Sequence, residues 1–215
     1  MFGDSNSFKG YSIVACGTVR PELTFLKKSG FLDANKILYT APGLHENQRE
    51  LKEQLTEKLK QAEISSGRTI VAYGNRCYMD FKNPFYTIDS IIDEGGSEMS
   101  RIEAGNCIDM LATAEERKRI AGDQRIYWMT MGWLLYWRYI FRDWDVGKAN
   151  ETFPQNDKAL ILDPSNAFEK YSGEKPEEVL EFSDWMGVPI EAHPVSWERI
   201  KGLLIQARDR IAEGG

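Results

Sequence analysis

The residues best suited to chemistry in this 215-residue chain are its three cysteines. Each follows an apolar run and lies close to a glycine: Ile13-Val-Ala-Cys16-Gly17, Val71-Ala-Tyr-Gly74-Asn-Arg-Cys77 and Arg101-Ile-Glu-Ala-Gly105-Asn-Cys107. The apolar runs read as buried strands. The cysteines therefore fall at strand ends, where an open α/β sheet presents its loops to a ligand. Three thiolates gathered there suit a soft or borderline metal. One such centre is zinc, with a histidine or an open fourth position. Another is a [4Fe-4S] cluster with one iron left open. His45 also follows a strand and is the candidate fourth ligand, whereas His193, just before Pro194, reads as a loop residue. The spacing Cys16–Cys77–Cys107 matches no compact metal motif, and the competing reading is three small buried hydrophobes.

Other groups stand beside the cysteines. Thr130-Met-Gly-Trp133 follows a predicted strand and places Trp133 where a ring could wall a cofactor or an apolar substrate. The helix it opens, through Arg142, carries aromatics on nearly all sides and reads first as core or interface. Glu22 and Asp109 sit at helix starts, where acids complement the dipole. Either could also act as a general base, and they are the candidate catalytic residues. The chain has no Gly-x-Gly-x-x-Gly, no phosphate-binding P-loop, no Gly-x-Ser-x-Gly and no Cys-x-x-Cys, so the usual warrants for dinucleotide, triphosphate, hydrolase or thioredoxin-like chemistry are missing.

The elements that must position these groups alternate. Strands are predicted at 11–16, 36–40, 68–73, 101–104, 125–129, 159–163 and 188–193. Helices are predicted at 21–28, 44–63, 108–119, 132–142, 176–186 and 196–213. Phe85–Ile88 reads as a further strand and Asp89–Glu98 as an exposed acidic loop. This pattern predicts an α/β fold: a mostly parallel, helix-covered open sheet of three-layer, Rossmann-like architecture. It is expected as a single domain over 1–215, irregular around 80–100.

Composition narrows the setting. The formal net charge is -6 with no Lys/Arg block, which argues against nucleic acid and anionic membranes as partners. The first residues, Met1 to Ser7, lack a basic-then-apolar pattern, and the most apolar stretch, Ile126–Phe141, is interrupted and too short to span a bilayer. A cytoplasmic protein with reduced thiols is the expectation. Its oligomeric state is left open.

Ala15-Cys16-Gly17, Arg20-Pro21-Glu22-Leu23, Leu44-His45, Tyr73-Gly74 with Cys77, Asn106-Cys107-Ile108-Asp109 and Thr130-Met131-Gly132-Trp133, in that order, resemble the domain-of-unknown-function family 1638. That family is typical of anaerobes and often sits beside corrinoid-dependent methyltransferase systems. The resemblance implies an anaerobic one-carbon setting, a corrinoid or methyltransferase protein as partner, and Cys16, Cys77, Cys107 and His45 acting together. In an anaerobe, three thiolates with an open position favour a [4Fe-4S] cluster over zinc. The expectation is then a metal-dependent methyltransferase component or a redox protein. The alternative is a non-catalytic accessory protein that docks through its aromatic helix, its cysteines buried and inert.

Overall fold

In a computed structural model describing residues 7–95 and 98–214, the chain alternates strands and helices. Two predictions touch residues beyond these: the reading of the N-terminus over 1–6, and positions 96–97 of the acidic loop. The first half carries β1 (Tyr11–Ala15), α1 (Arg20–Lys28), β2 (Lys36–Tyr39), α2 (Gln48–Ser66), β3 (Arg68–Ala72), α3 (Ile88–Asp93), β4 (Glu98–Arg101) and α4 (Ala114–Ala121). The second carries β5 (Ile126–Met129), α5 (Met131–Ile140), α6 (Val146–Thr152), β6 (Lys158–Asp163), α7 (Ala167–Glu174), α8 (Pro176–Met186), β7 (Ile190–Pro194) and α9 (Glu198–Gly214).

The fold is α/β, and every strand pairing within the sheets is parallel. The strands divide between two sheets, ordered β2-β1-β3-β4 and β5-β6-β7. In the first sheet β1 is central and wholly buried, which is why its five residues read as an unbroken apolar run apart from Ser12. Leu51, Leu55, Leu59 and Ala62 of α2 pack with Val14, Val71 and α3 on one face. Leu23 and Leu26 of α1 pack with Leu203, Leu204 and Ala207 of α9 on the other, giving three layers. Ala159 and Ile161 of β6 face a core built by α5, α6 and α8, while the adjacent Leu162 joins the core under α9. That alternation is the two-residue period of a strand lying between two packed layers.

Several boundaries differ from expectation, each for a local reason. Leu44–Glu46 is a short 3-10 turn, and α2 begins only at Gln48, because Asn47 caps it by accepting from Glu50 N–H. Asp89–Glu98 is not an exposed loop throughout: Ile88, Ile91 and Ile92 are buried at helical spacing in α3. Phe85–Ile88 forms no strand; the chain turns there, with Asp80 N–H bonded to Tyr86 O and an isolated bridge from Met79 to Thr87. The fourth strand lies at 98–101, three residues before the expected one. No helix starts at Ile108. Asn106 Oδ1 accepts from both Ile108 and Asp109 N–H and holds a turn, and α4 waits for the Thr113–Glu116 capping box.

Candidate functional site

Strand order places the cysteines. The chain leaves β1 for β2 on one side and later enters β3 on the other, so β1 and β3 flank the point where the topology reverses. Loops at the carboxyl ends of such strands part and leave a crevice. Cys16 follows β1 directly, Cys77 follows β3, and Cys107 follows β4 on the same edge. All three cysteines, with His45 and Trp133, line one cavity of about 340 Å³. Each cysteine is half-buried and none is in a disulfide.

Close backbone approaches hold the loops together. Gly74, before Cys77, lies so near Gly105 and Asn106, before Cys107, that an added Cβ would meet Gly105 O at 2.3 Å. Asn75 and Arg76 N–H donate to Ala104 and Gly105 carbonyls at 3.0 Å each, zipping the two cysteine loops side by side. On the opposite wall, a Cβ at Gly132 would stand 2.1 Å from Thr18 O, two residues after Cys16. Thr130 Oγ1 donates to that same carbonyl at 2.6 Å, and Met131 N–H donates to Glu22 Oε1 at 3.3 Å. The Thr130–Trp133 segment thus fastens the start of α5 to the turn after Cys16 and swings Trp133 over the cavity.

The thiols sit among donors. Thr18 Oγ1 donates to Cys16 Sγ at 3.1 Å. Desolvation pushes the Cys107 pKa up to about 12, helped by the nearby Cys16, while Trp133 and Thr18 favour its thiolate. Trp133 is only 7% exposed, and its Nε1 completes no hydrogen bond of normal geometry, since a neutral thiol is a weak acceptor. Cys77 is pushed higher still, by burial first and then by Cys107 and Cys16. The neighbouring sulfurs therefore add to the cost of ionising Cys77 and Cys107, the electrostatic sign of close approach. His45 lies across from Trp133 with ring centroids 5.5 Å apart. Partial cover pushes its pKa down against the pull of Glu46, which favours the neutral, metal-ligating imidazole. Among the described residues, no three His, Cys, Asp or Glu side chains are set as a single metal ion requires.

Glu22 and Asp109 stand off the cavity wall. Asp109 Oδ2 accepts from Gly105 N–H at 3.1 Å, and its carboxylate pairs with Arg117, so it shapes the Cys107 loop. Glu22 is 2% exposed beneath α5 and holds Met131. His193 lies apart, and it is not a loop residue: it belongs to β7, paired with Leu162, and lines a separate cleft. Sequence reading missed Thr18, Tyr127 and Asn106 on the wall. Thr18 and Asn106 are near neighbours of cysteines, which is their one signal in the sequence. Tyr127 has none, because nothing local says which face of β5 looks inward.

The fold and cavity define a parallel α/β protein with a three-cysteine crevice at a sheet reversal point. The chain belongs to the family described as protein of unknown function (DUF1638), whose model matches residues 39–204. That span includes His45, Cys77, Cys107 and Trp133, and Cys16 precedes it. No curated protein matches the chain. Among solved structures it is similar to a transcription regulator like protein from Staphylococcus haemolyticus, at 10% identity and a TM-score of 0.39, over 96% of this chain and 92% of that one. No helix among the described residues is long and apolar enough to cross a membrane.

Proposed function

We propose that Cys16, Cys77 and Cys107 together hold an iron–sulfur cluster, with His45 as the candidate fourth ligand and Trp133 beside it. The observation that carries this reading is the arrival of all three cysteines at one cavity from three separate strand ends. The donors support it. Hydrogen bonds to ligating sulfurs stabilise thiolates and tune a cluster's potential, and Thr18 already donates to Cys16 while Trp133 Nε1 faces Cys107 without a partner. Geometry favours a cluster over zinc: a single ion with bonds of about 2.3 Å draws its sulfurs under about 4 Å apart, and among the described residues no three His, Cys, Asp or Glu side chains are set so. Bound there, the centre would supply electron transfer or a Lewis-acidic open iron. Its setting, on this reading, is cytoplasmic anaerobic one-carbon metabolism beside a corrinoid or methyltransferase protein, as the family resemblance implies.

The test is iron and acid-labile sulfide content, with a visible spectrum, on protein purified without oxygen. The expected result is a brown protein with about four iron and four sulfide per chain, lost on Cys16→Ser, Cys77→Ser or Cys107→Ser. One zinc per chain and no colour would replace the cluster with a thiolate–zinc site. A folded protein that takes up neither metal, even on reconstitution, would end the reading and leave the cysteines as packing residues.

A further inference from the structure

The cavity has an unbalanced charge. Fifteen residues line it, and Arg76 is the only Lys, Arg, Asp or Glu among them. Arg76 makes no ion pair and no side-chain hydrogen bond among the described residues. Asp109, across Gly105, is already taken by Arg117 and by Gly105 N–H. Most other arginines lie against a carboxylate, as Arg101 does on Asp89 and Arg210 on Glu103. Arg76 instead stands exposed at the cavity rim, held there by its backbone bond to Gly105. Behind it the wall is apolar and partly flat: Leu44, Leu51, Ile108 and Met110 with Tyr127 and Trp128. A guanidinium binds carboxylates through paired N–H donors. One unpaired arginine balances one charge, and no second cation on the wall awaits a dianion.

We infer that the cavity takes a small monocarboxylate with a flat apolar body, its carboxylate on Arg76 and its body against Tyr127 and Trp128. This rests on reading the cavity as the ligand-facing side of the three-cysteine site, and it names the class of substrate or effector that reaches that site. A cavity of about 340 Å³ is at the small end of ligand pockets, so with a metal centre in place only a small acid fits.

The test titrates anaerobically purified protein with acetate, benzoate and cinnamate, with benzamide and inorganic phosphate as controls. Tryptophan fluorescence reports binding, since Trp128 and Trp133 line the cavity, and iron and sulfide are assayed on the same sample. The expected result is saturable binding of the aromatic acids, with benzamide and phosphate each at least about 10-fold weaker. Arg76→Ala should weaken benzoate about 10- to 100-fold, with Arg76→Lys in between and iron content unchanged in both. Because Arg76 is exposed, neither change threatens folding. Absence of saturable binding by all three acids would overturn the inference, as would benzoate binding untouched by Arg76→Ala. Metal without acid binding would sink this inference alone. Arg76-dependent acid binding to a metal-free protein would keep it and sink the cluster.

Discussion

Glu22 is the residue whose burial has the clearest consequence. Its Oε1 accepts from Met131 N–H, and its Oε2 has no partner among the described residues. Burial, with a smaller push from Asp163 against the pull of the backbone donors, raises its pKa from 4.5 to about 8. The native protein therefore holds a proton that the unfolded chain releases at lower pH. Between those two values the native state binds the extra proton, so stability falls as pH rises, by up to about 1.4 kcal/mol per unit. Above about 8 both states are ionised and the full cost stays. Glu22→Gln mimics the protonated form and abolishes this slope. Urea unfolding should show parent and variant nearly equal at about pH 4.5, and the variant several kcal/mol more stable at about pH 9. Parallel pH curves for the two proteins would refute the assignment. At this scale the sequence showed which residues to watch but not what each does. Cys16, Cys77 and Cys107 were legible because a polarisable thiol beside a glycine at a strand end is an unusual place for a core residue. Glu22 and Asp109 stood out as helix-start acids, yet Asp109 lies in a turn and not at a helix start, and both hold up loops from outside the cavity.

Among the elements, the start of α5 binds the two halves of the site, and the contact depends on a missing side chain. At Gly132 a Cβ would meet the Thr18 backbone, which has no rotamer by which to yield. Gly132→Ala should cost about 1–3 kcal/mol or more and shift Trp133 away from Cys107, lowering cluster retention alongside stability. Gly202, within α9, has nothing within 4 Å of its Cβ position. Gly202→Ala should instead gain about 0.5–1 kcal/mol from helix propensity. Thermal or urea unfolding of the pair separates the two effects, and similar behaviour of both variants would remove the clamp from the account. Elements with a clear period, such as α2 with its leucine stripe, were readable in advance. Those that failed were short and locally ambiguous. α3 hides three isoleucines among two aspartates and a serine, and α7, from Ala167, follows an Asp-Pro that marks only the end of β6. Asp163 in fact continues as its anchor, accepting from Phe168 N–H at 2.8 Å.

For the whole molecule, alternation in the chain announced parallel, helix-covered sheet but not that the strands would separate into two groups. Strand order is a property of long-range pairing, and no local residue pattern encodes it. The aromatic helix shows the same limit: the sequence offers both a core and a docking role for its rings, and in the fold Trp137 stacks on Phe182 at 5.0 Å while Phe141 packs against Trp185. Those rings build the second core, and the outward residues of α5 are Leu135, Arg138 and Tyr139. Whether the two sheets form one cooperative unit follows from how they are joined. Thr130 and Met131 bond to Thr18 and Glu22 across the halves, and Leu162 shares a core with Leu204. Arg142 and Lys148 reach Glu50 and Glu46 on the far side, contacts that count for little when exposed. Finally α9 leaves β7 and returns to pack on β3 and β4, so the first sheet's core does not close without chain from the second half. The expectation is a single urea transition, with far-UV circular dichroism and the fluorescence of the tryptophans, of which Trp133, Trp137, Trp144 and Trp185 belong to the second core, changing together. Two separated transitions would make the halves independent domains and the cavity an interface between them. A centre held by the cysteine loops of the first half and covered by Trp133 of the second would bind only the joined state, so loading it should raise that single midpoint.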